Sequence, residues 1–458
     1  MYFRVSLTAT VFGLAALTSV SVFPVSGAKA ETIAEALALA YANNPTLNAA
    51  RAELRGVDER VPQALAGWRP TITANGSVGS ISSSGSGFNN YRNNASISLT
   101  VQQALFRGFR TVNSTRQAEA IVRSQRESLN ATEQDVLLSA AEAYVNVIRD
   151  TALVSLQRSD VEFLAEQVRA ARDRFEVGEG TRTDVSQAEA RRAEAQASLN
   201  SSIANLNSSR AIYRQVVGIE ARSLSASTPV GKLVPKTLET ALITSEDSQP
   251  LIRQAQHLVD AAQFAVKTIE GEALPTVSVE GSVERSWNPS SNVAVSNSAS
   301  VFGRVSVPIY QGGTTSSRVR QAKEELGRTQ IQLDVVRDRI RANVISAWGQ
   351  YQAAEASISA AQAAVEAQQL ALEGVIEEQR VGQRTTLDVL DAQRELVDQR
   401  VNLVTAQRNR IVAAFQLISA TGKLDAEYLG LKVARYDPKE HYDKVRDKWF
   451  GMKTPDGR

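Results

Sequence analysis

Arg380-Val381-Gly382-Gln383-Arg384-Thr385-Thr386-Leu387-Asp388-Val389-Leu390-Asp391 is a helix-breaking turn between two very long runs of helix-forming sequence. It has an echo upstream, Glu176-Val177-Gly178-Glu179-Gly180-Thr181-Arg182-Thr183-Asp184-Val185. Gly382 follows Gly178 by 204 positions, and Asp388 follows Asp184 by the same 204. Two copies of one hairpin tip at a fixed offset mark an internally duplicated chain, and a repeat constrains a fold more than any local signal. Residues 31–222 form the first repeat and 223–422 the second, with 1–30 ahead of them and a polar tail, 423–458, behind.

Working outward from the tips, proline draws the map. No Pro lies between 71 and 228 or between 309 and 437. Proline inside a helix removes a hydrogen bond and clashes with the preceding turn, so these windows are where long helices can run. Val147, Val154, Val161, Val168 and Phe175 recur every seven residues before the first turn, and Tyr351, Ile358, Val365, Leu372 and Gln379 repeat the series before the second. Beyond the turns come Val185, Leu199, Leu206 and Tyr213, then Val389, Leu396, Leu403 and Leu417, with Arg192 and Arg410 as the exceptions. The companion row is small: Ala188, Ala195 and Ser202, then Ala392, Ala406 and Ala413. Sustained heptads specify antiparallel hairpins with knobs-into-holes packing. A helix over 112–177 would be about 100 Å long at the standard rise, more than a globular core can use.

Ahead of each long hairpin lie a shorter helical stretch and two alternating runs. Residues 32–67 read as helix interrupted at Asn44-Pro45, and Glu239 to Val266 echoes them around Pro250. Ile72, Ala74, Gly76 and Val78 alternate with polar residues, as do Ala95, Ile97, Leu99 and Val101, with a flexible polar loop expected over Ser82–Gly87. The second repeat gives Val277, Val279, Gly281 and Val283, a loop expected at residues 288–292, then Val301, Gly303, Val305 and Val307. Period-two alternation of this kind is strand, turn, strand. Each run is long enough to cross a bilayer when tilted. Four strands cannot close a barrel, and an open edge in lipid leaves backbone groups unpaired. Either the hairpins are soluble, or several chains pool their strands.

Composition bounds the rest. A net charge of +2 without basic clustering argues against nucleic acid. The absence of Cys excludes disulfides, thiolate zinc sites and cysteine nucleophiles. His257 and His441 are the only histidines, and no phosphate loop, G-x-S-x-G or H-E-x-x-H is present, so no catalytic set, cofactor or metal site is expected. Arg4, the apolar run Val5 to Val22, and Ala28-Lys29-Ala30 read as a cleaved export signal. After residue 30 no run is long and apolar enough for a transmembrane helix, so any membrane crossing must use strands. The tail from Lys423 reads as a loosely held, solvated end, with Tyr442, Val445 and Trp449 able to share one face of a short helix.

Two repeats of helix, β-hairpin, long helix, V-G-x-x-T turn and heptad helix resemble the TolC-type outer-membrane efflux and secretion channels, over about residues 31–422. The resemblance is most specific at Val177-Gly178 with Thr183-Asp184-Val185, and at Val381-Gly382-Gln383-Arg384-Thr385 with Asp388-Val389-Leu390-Asp391. It implies an α+β membrane protein: a homotrimer whose twelve-stranded β-barrel, four strands per chain, is continued by an α-helical coiled-coil barrel. It also implies the outer membrane of a Gram-negative bacterium, a tunnel through the periplasm, and partners in a periplasmic adaptor and an inner-membrane ABC or proton-driven pump. The cargo, drugs or secreted protein, stays open. A soluble exported coiled-coil scaffold or adhesin stalk is the alternative.

The same resemblance assigns roles at the tips. Asp388 and Asp391, three apart and so on one helix face, would make stacked carboxylate rings in a narrow pore, as Asp rings select cations. From the residues alone they also read as solvated acids favoured at a helix N-terminus. The first repeat has Asp184 but Gln187 in place of the second acid. Arg384 would lock the gate against Thr183 and Asp184 of neighbouring hairpins, with Gln379 standing where the best-known member of the family carries Tyr. Val177, Gly178, Thr181, Val381, Gly382 and Thr385 would dock adaptors or simply build the turns. Gly178, Gly180 and Gly382 are expected at positive φ.

Overall fold

The computed structural model describes residues 30–226, 230–290 and 292–457. The targeting segment lies outside the described residues except for Ala30. The first repeat opens with three short helices, α1 (Ile33–Asn43), α2 (Pro45–Asp58) and α3 (Arg60–Leu65). Asn44 separates the first two and caps the second: its Oδ1 accepts from the N–H groups of Thr46 and Leu47, with Pro45 in the first turn where its missing N–H costs nothing. Strands β1 (Thr71–Gly85) and β2 (Phe88–Arg107) follow, then α4 (Arg110–Glu176) and α5 (Arg182–Val217). The second repeat gives α6 (Leu238–Ser248), α7 (Pro250–Glu270), β3 (Thr276–Ser290), β4 (Val293–Ser306), α8 (Thr314–Arg380) and α9 (Thr386–Ala420). Both α4 and α8 contain 67 residues, which at the standard rise is about 100 Å each.

The four strands form one antiparallel sheet in the order β1-β2-β3-β4. Its register puts the apolar alternation on a single face. Ile72 pairs with Val101, Ala74 with Leu99 and Gly76 with Ile97; Leu99 then faces Val283, Val101 faces Gly281, and Gly281 faces Val301. The opposite face is polar, with Ser77 Oγ 2.8 Å from Ser96 Oγ, Ser282 Oγ 2.8 Å from Ser300 Oγ, and Arg304 paired with Glu280. The strands run further than the alternation alone suggested. β1 continues to Gly85, and the expected loop shrinks to a turn at Ser86-Gly87, where Gly87 takes φ 95°. Ser82 pairs with Tyr91, Ser83 with Asn90 and Ser84 with Asn89, so most of the polar run that looked like a loop is paired across the strands. At the second hairpin, too, β3 runs to Ser290, past the expected start of its loop.

β2 and β3 belong to different repeats, and their junctions with the helices touch. A Cβ on Gly108 would lie 2.2 Å from the carbonyl oxygen of Gly271, and a Cβ on Gly271 would lie 2.2 Å from that of Gly108. Only a Gly pair permits this approach. Gly312, the counterpart of Gly108 in the second repeat, has nothing within 4 Å.

The largest core sits midway along the long helices, where α1 and α2 pack on α4 beside α5 and α9. Leu37, Leu47, Leu137, Tyr144, Tyr213 and Phe415 are buried there. Tyr144 Oη donates to the carbonyls of Glu31 and Ser225, and Tyr213 Oη donates to the Glu31 carboxylate at 2.7 Å. Burial pushes the Tyr144 hydroxyl up to about 12 against the opposing bond to Ser225, and burial together with the bond to the Glu31 carboxylate pushes the Tyr213 hydroxyl up as well. The start of the first repeat and the link to the second are thereby tied to the same helices.

The tail is not the loosely held end that its charge suggested. Leu424, Ala426 and Leu431 join the main core, and α10 (Pro438–Val445) lies on α2 and α4. Val445 is fully buried, and Tyr442 packs near Val61, Ala118 and Val122. His441 Nδ1 is 3.0 Å from Oδ2 of Asp58, a carboxylate with no exposed side-chain surface, whose pKa burial raises. A few well-placed apolar residues and one buried polar pair hold a segment whose average composition is that of a solvated end.

Candidate functional site

The two hairpin tips are built alike. At the first, Glu179 N–H donates to Arg174 O at 2.8 Å and Gly178 N–H to Phe175 O at 3.1 Å; at the second, Gln383 donates to Glu378 at 2.9 Å and Gly382 to Gln379 at 3.0 Å. This pattern closes a helix through a left-handed residue, here Gly178 at φ 83° and Gly382 at φ 77°. Gly180, expected at positive φ as well, does not take it. A Cβ there would meet the Phe175 nitrogen at 3.3 Å, so close packing rather than handedness suits Gly at that position. Val177 and Val381 stand at the turns with 71% and 70% of their surface exposed.

The next helices start with matching capping boxes. Thr181 N–H and Oγ1 donate to Asp184 Oδ2 at 2.9 and 2.6 Å, and Asp184 N–H donates back to Thr181 Oγ1. Thr385 N–H and Oγ1 donate to Asp388 Oδ2, both at 2.8 Å, and Asp388 N–H donates back. A reciprocal cap satisfies two orphan donors at once. The hydrogen bonds from Thr385 hold Asp388 below the usual carboxylate range, and those from Thr181 do the same for Asp184. Both acids are therefore anionic at neutral pH, each with Oδ1 left outside the cap. The sequence reading set Asp388 in a pore and Asp184 in a lock; the structure shows each first as a helix cap, a role already visible in the Thr-x-x-Asp spacing.

Asp391 lies on the same face of α9 as Asp388, where its Oδ1 receives Arg191 Nη2 of α5 at 2.7 Å. Arg384 Nε donates to Glu378 Oε2 at 2.9 Å within its own hairpin, which holds the guanidinium firmly charged. Within one chain Arg384 is thus paired with Glu378 rather than with Thr183 or Asp184. Gln379 Nε2 donates to Thr386 Oγ1 at 3.3 Å across the same turn. Thr183 is exposed beside Asp184.

A further link between the hairpins escaped the sequence reading. Gln393 Nε2 of α9 donates to Asp160 Oδ1 of α4 at 2.7 Å, and Asp160 is only 9% exposed. Burial raises the Asp160 pKa, partly offset by the Gln393 bond. Leu390 packs beside it among Leu164, Ala188 and Ala195. Higher up, Arg408 Nε donates to Asn146 Oδ1 at 2.8 Å and Gln416 Nε2 to Glu142 Oε1 at 3.2 Å. A polar seam with an apolar patch therefore staples α9 to the first hairpin. Among the described residues, no group of acids and histidines is placed to hold a metal ion, and no helix is long and apolar enough to cross a membrane.

A family model described as "Outer membrane efflux protein" matches residues 36–218 and 244–423, which divide as the two repeats do. The chain belongs to this family. It is 43% identical over 445 residues to the outer membrane efflux protein BepC of Brucella suis, covering 97% of each chain. It is 25% identical over 362 residues to the alkaline protease secretion protein AprF of Pseudomonas aeruginosa, covering 76% of this chain and 74% of that one. The fold matches the outer membrane channel CmeC of Campylobacter jejuni with a TM-score of 0.76 at 15% identity, over 91% of this chain and 89% of the other. The chain is thus an efflux or secretion channel of the outer membrane that extends into the periplasm, with the two-repeat α+β architecture its sequence resembled.

Proposed function

We propose that three copies of this chain pool their sheets into one twelve-stranded barrel continued by a helical tunnel, a passive exit duct powered by a partner. The observation that carries this is the sheet. β1 is exposed along its whole length, so the sheet has no protein cover there, and β1 and β4 end it with open edges. A soluble sheet must bury a face, and edges in lipid must be paired. Lipid against the apolar face and a neighbour's strand at each edge meet both needs. The long helices support the same assembly. Ile203 and Ile212 on α5, and Ile331, Val335, Ile345 and Leu370 on α8, are exposed on flanks that another chain would cover.

At the inner end, Asp388 and Asp391 would form two carboxylate rings, with the Oδ1 of each Asp388 free of its cap to meet cations. Arg384, held by Glu378, reaches Thr183 and Asp184 of the adjoining subunit as a lock, while Gln379 braces the turn through Thr386. The exposed Val177 and Val381, with Gly178, Thr181, Gly382 and Thr385, offer docking tips to a periplasmic adaptor. That adaptor couples the duct to an inner-membrane ABC or proton-driven pump. The chain itself performs no chemistry. Because the 43%-identical relative is named for efflux, efflux is favoured over protein secretion as the cargo route. Membrane fractionation should place the protein in the outer membrane as a heat-sensitive trimer band, and deletion should sensitise the strain to drugs. A lipid-indifferent monomer would overturn the reading, and loss of secreted proteins with unchanged drug sensitivity would reverse the choice of cargo.

A further inference from the structure

The C-terminal segment reverses its burial within a few residues. Up to Val445 it is pressed into the helical body, held by His441 on Asp58 and by Tyr442, over whose ring the Arg126 guanidinium lies at 5.0 Å. Beyond Val445 its most apolar side chains turn outward. Trp449 is 65% exposed, Phe450 is 91% exposed and Met452 is fully exposed. Gly451, at φ 112°, turns the chain between them, and Lys448 Nζ closes the loop by donating to the Lys453 carbonyl at 2.6 Å. Three large apolar side chains presented together on a closed loop need a cover.

Two contacts fix where this loop sits. Arg69 Nη1 donates to the Lys448 carbonyl at 2.7 Å, and the Arg69 guanidinium lies 5.0 Å from the centre of the Trp449 ring. Arg69 is two residues before Thr71, where β1 begins, and the Trp68 carbonyl accepts from Gln103 of β2 at 2.9 Å. The loop therefore lies at the foot of the sheet. Trp68, Phe109 and Tyr310 are also exposed at that end. Aromatic side chains collect at the boundary between hydrocarbon and water, and apolar side chains flanked by lysine are the composition of an interfacial anchor. From Lys448 to Thr454 there is no acidic residue, which suits phosphate headgroups.

We propose that Trp449, Phe450 and Met452 insert into the periplasmic leaflet of the outer membrane, with Lys448 and Lys453 beside its phosphates. The inference rests on the sheet being the part that spans the membrane, so the test carries a separate arm for that reading. The chain has no cysteine, so one introduced thiol labels one place. Full-length Phe450→Cys, Val301→Cys and Lys439→Cys proteins are labelled with an NBD fluorophore. They are then placed in nanodiscs of phosphatidylethanolamine and phosphatidylglycerol, with and without doxyl-labelled lipid. Val301 is on the apolar face of β4, and Lys439 is exposed on α10. The expected result is quenching at Phe450→Cys close to that at Val301→Cys and at least ~2-fold above Lys439→Cys, as insertion to the headgroup boundary requires. Unquenched, water-like emission at Phe450→Cys overturns the anchor. Blue-shifted but unquenched emission there also overturns it and assigns the loop to a neighbouring subunit. Failure to quench Val301→Cys instead overturns the membrane-spanning sheet, and the anchor with it.

Discussion

Replacing Gln393 by Leu should make the closed duct leak. Gln393 supplies the hydrogen bond to Asp160 at 2.7 Å, and Asp160 is 9% exposed. A hydrogen bond to a charged group contributes about 1.5–3 kcal/mol, and leaving the charge buried without it incurs a desolvation penalty. Separating α9 from α4 restores water to Asp160, so the loss falls on the stapled arrangement alone. At 1.4 kcal/mol per decade, separated hairpins should become roughly 10–150-fold more populated. The readouts are single-channel opening in planar bilayers and entry of large antibiotics into cells expressing the variant. Asp160→Asn is the control, since its amide oxygen still accepts from Gln393 and no charge is left buried; it should stay closed. The effect has a pH signature. Burial holds the Asp160 pKa above its ordinary 3.8, so the folded chain takes up the proton first, and the cost of burial grows as pH rises through that window. The leak of Gln393→Leu should therefore shrink on acidification. A variant as tight as wild type, or one whose leak matches Asp160→Asn, would refute the staple.

Further outcomes are expected at the tips and in the tail. Asp388→Asn with Asp391→Asn should weaken block of single-channel current by multivalent cations, and unchanged block would remove these residues from the pore. Arg384→Ala should raise the outer-membrane leak of large antibiotics, with Glu378→Gln giving a smaller rise because it only loosens the same guanidinium. Thr181→Val or Thr385→Val should cost the hairpin about 1 kcal/mol, the usual worth of a threonine cap, seen as faster hydrogen exchange at that tip alone. Because Asp184 and Asp388 are held below 3.8, their stabilisation is complete above that pH and is lost as pH falls through the lower folded values, so tip protection should persist to pH 4 and fail below it. Asp58→Ala should loosen the tail, since leaving His441 without its buried partner costs about 1–3 kcal/mol; trypsin should then cut at Arg446 and Lys448 well before the helical body.

The duplication, the strand faces and the tip turns were legible because each is written in local spacing. A period of two sets Ile72 with Val78, and Leu99 with Val101, on one face within each run, and the register then brings the apolar faces of the four strands together. The Thr-x-x-Asp caps are written in the same local spacing. The staples were not legible. Asp160 and Gln393 are 233 residues apart, and Arg191 and Asp391 are 200 apart. Nothing in the surroundings of a lone Gln on a helix says which carboxylate it meets. The tail misled for a different reason: its composition is charged, while its attachment depends on Val445 and on the pairing of His441 with Asp58, and an average over a segment hides single anchors.

The contact of Gly108 with Gly271 reaches beyond one polypeptide. Gly271 stands 204 places after Gly67, and Gly312 stands 204 places after Gly108. In the proposed trimer the same join would recur between subunits, with Gly312 of one meeting Gly67 of the next. Damage to the inner copy would then spoil a monomer as it folds, whereas the same damage to the outer copy would spare the monomer and stop the ring from closing. An internal duplication would thus present one kind of border twice, once inside the chain and once between chains.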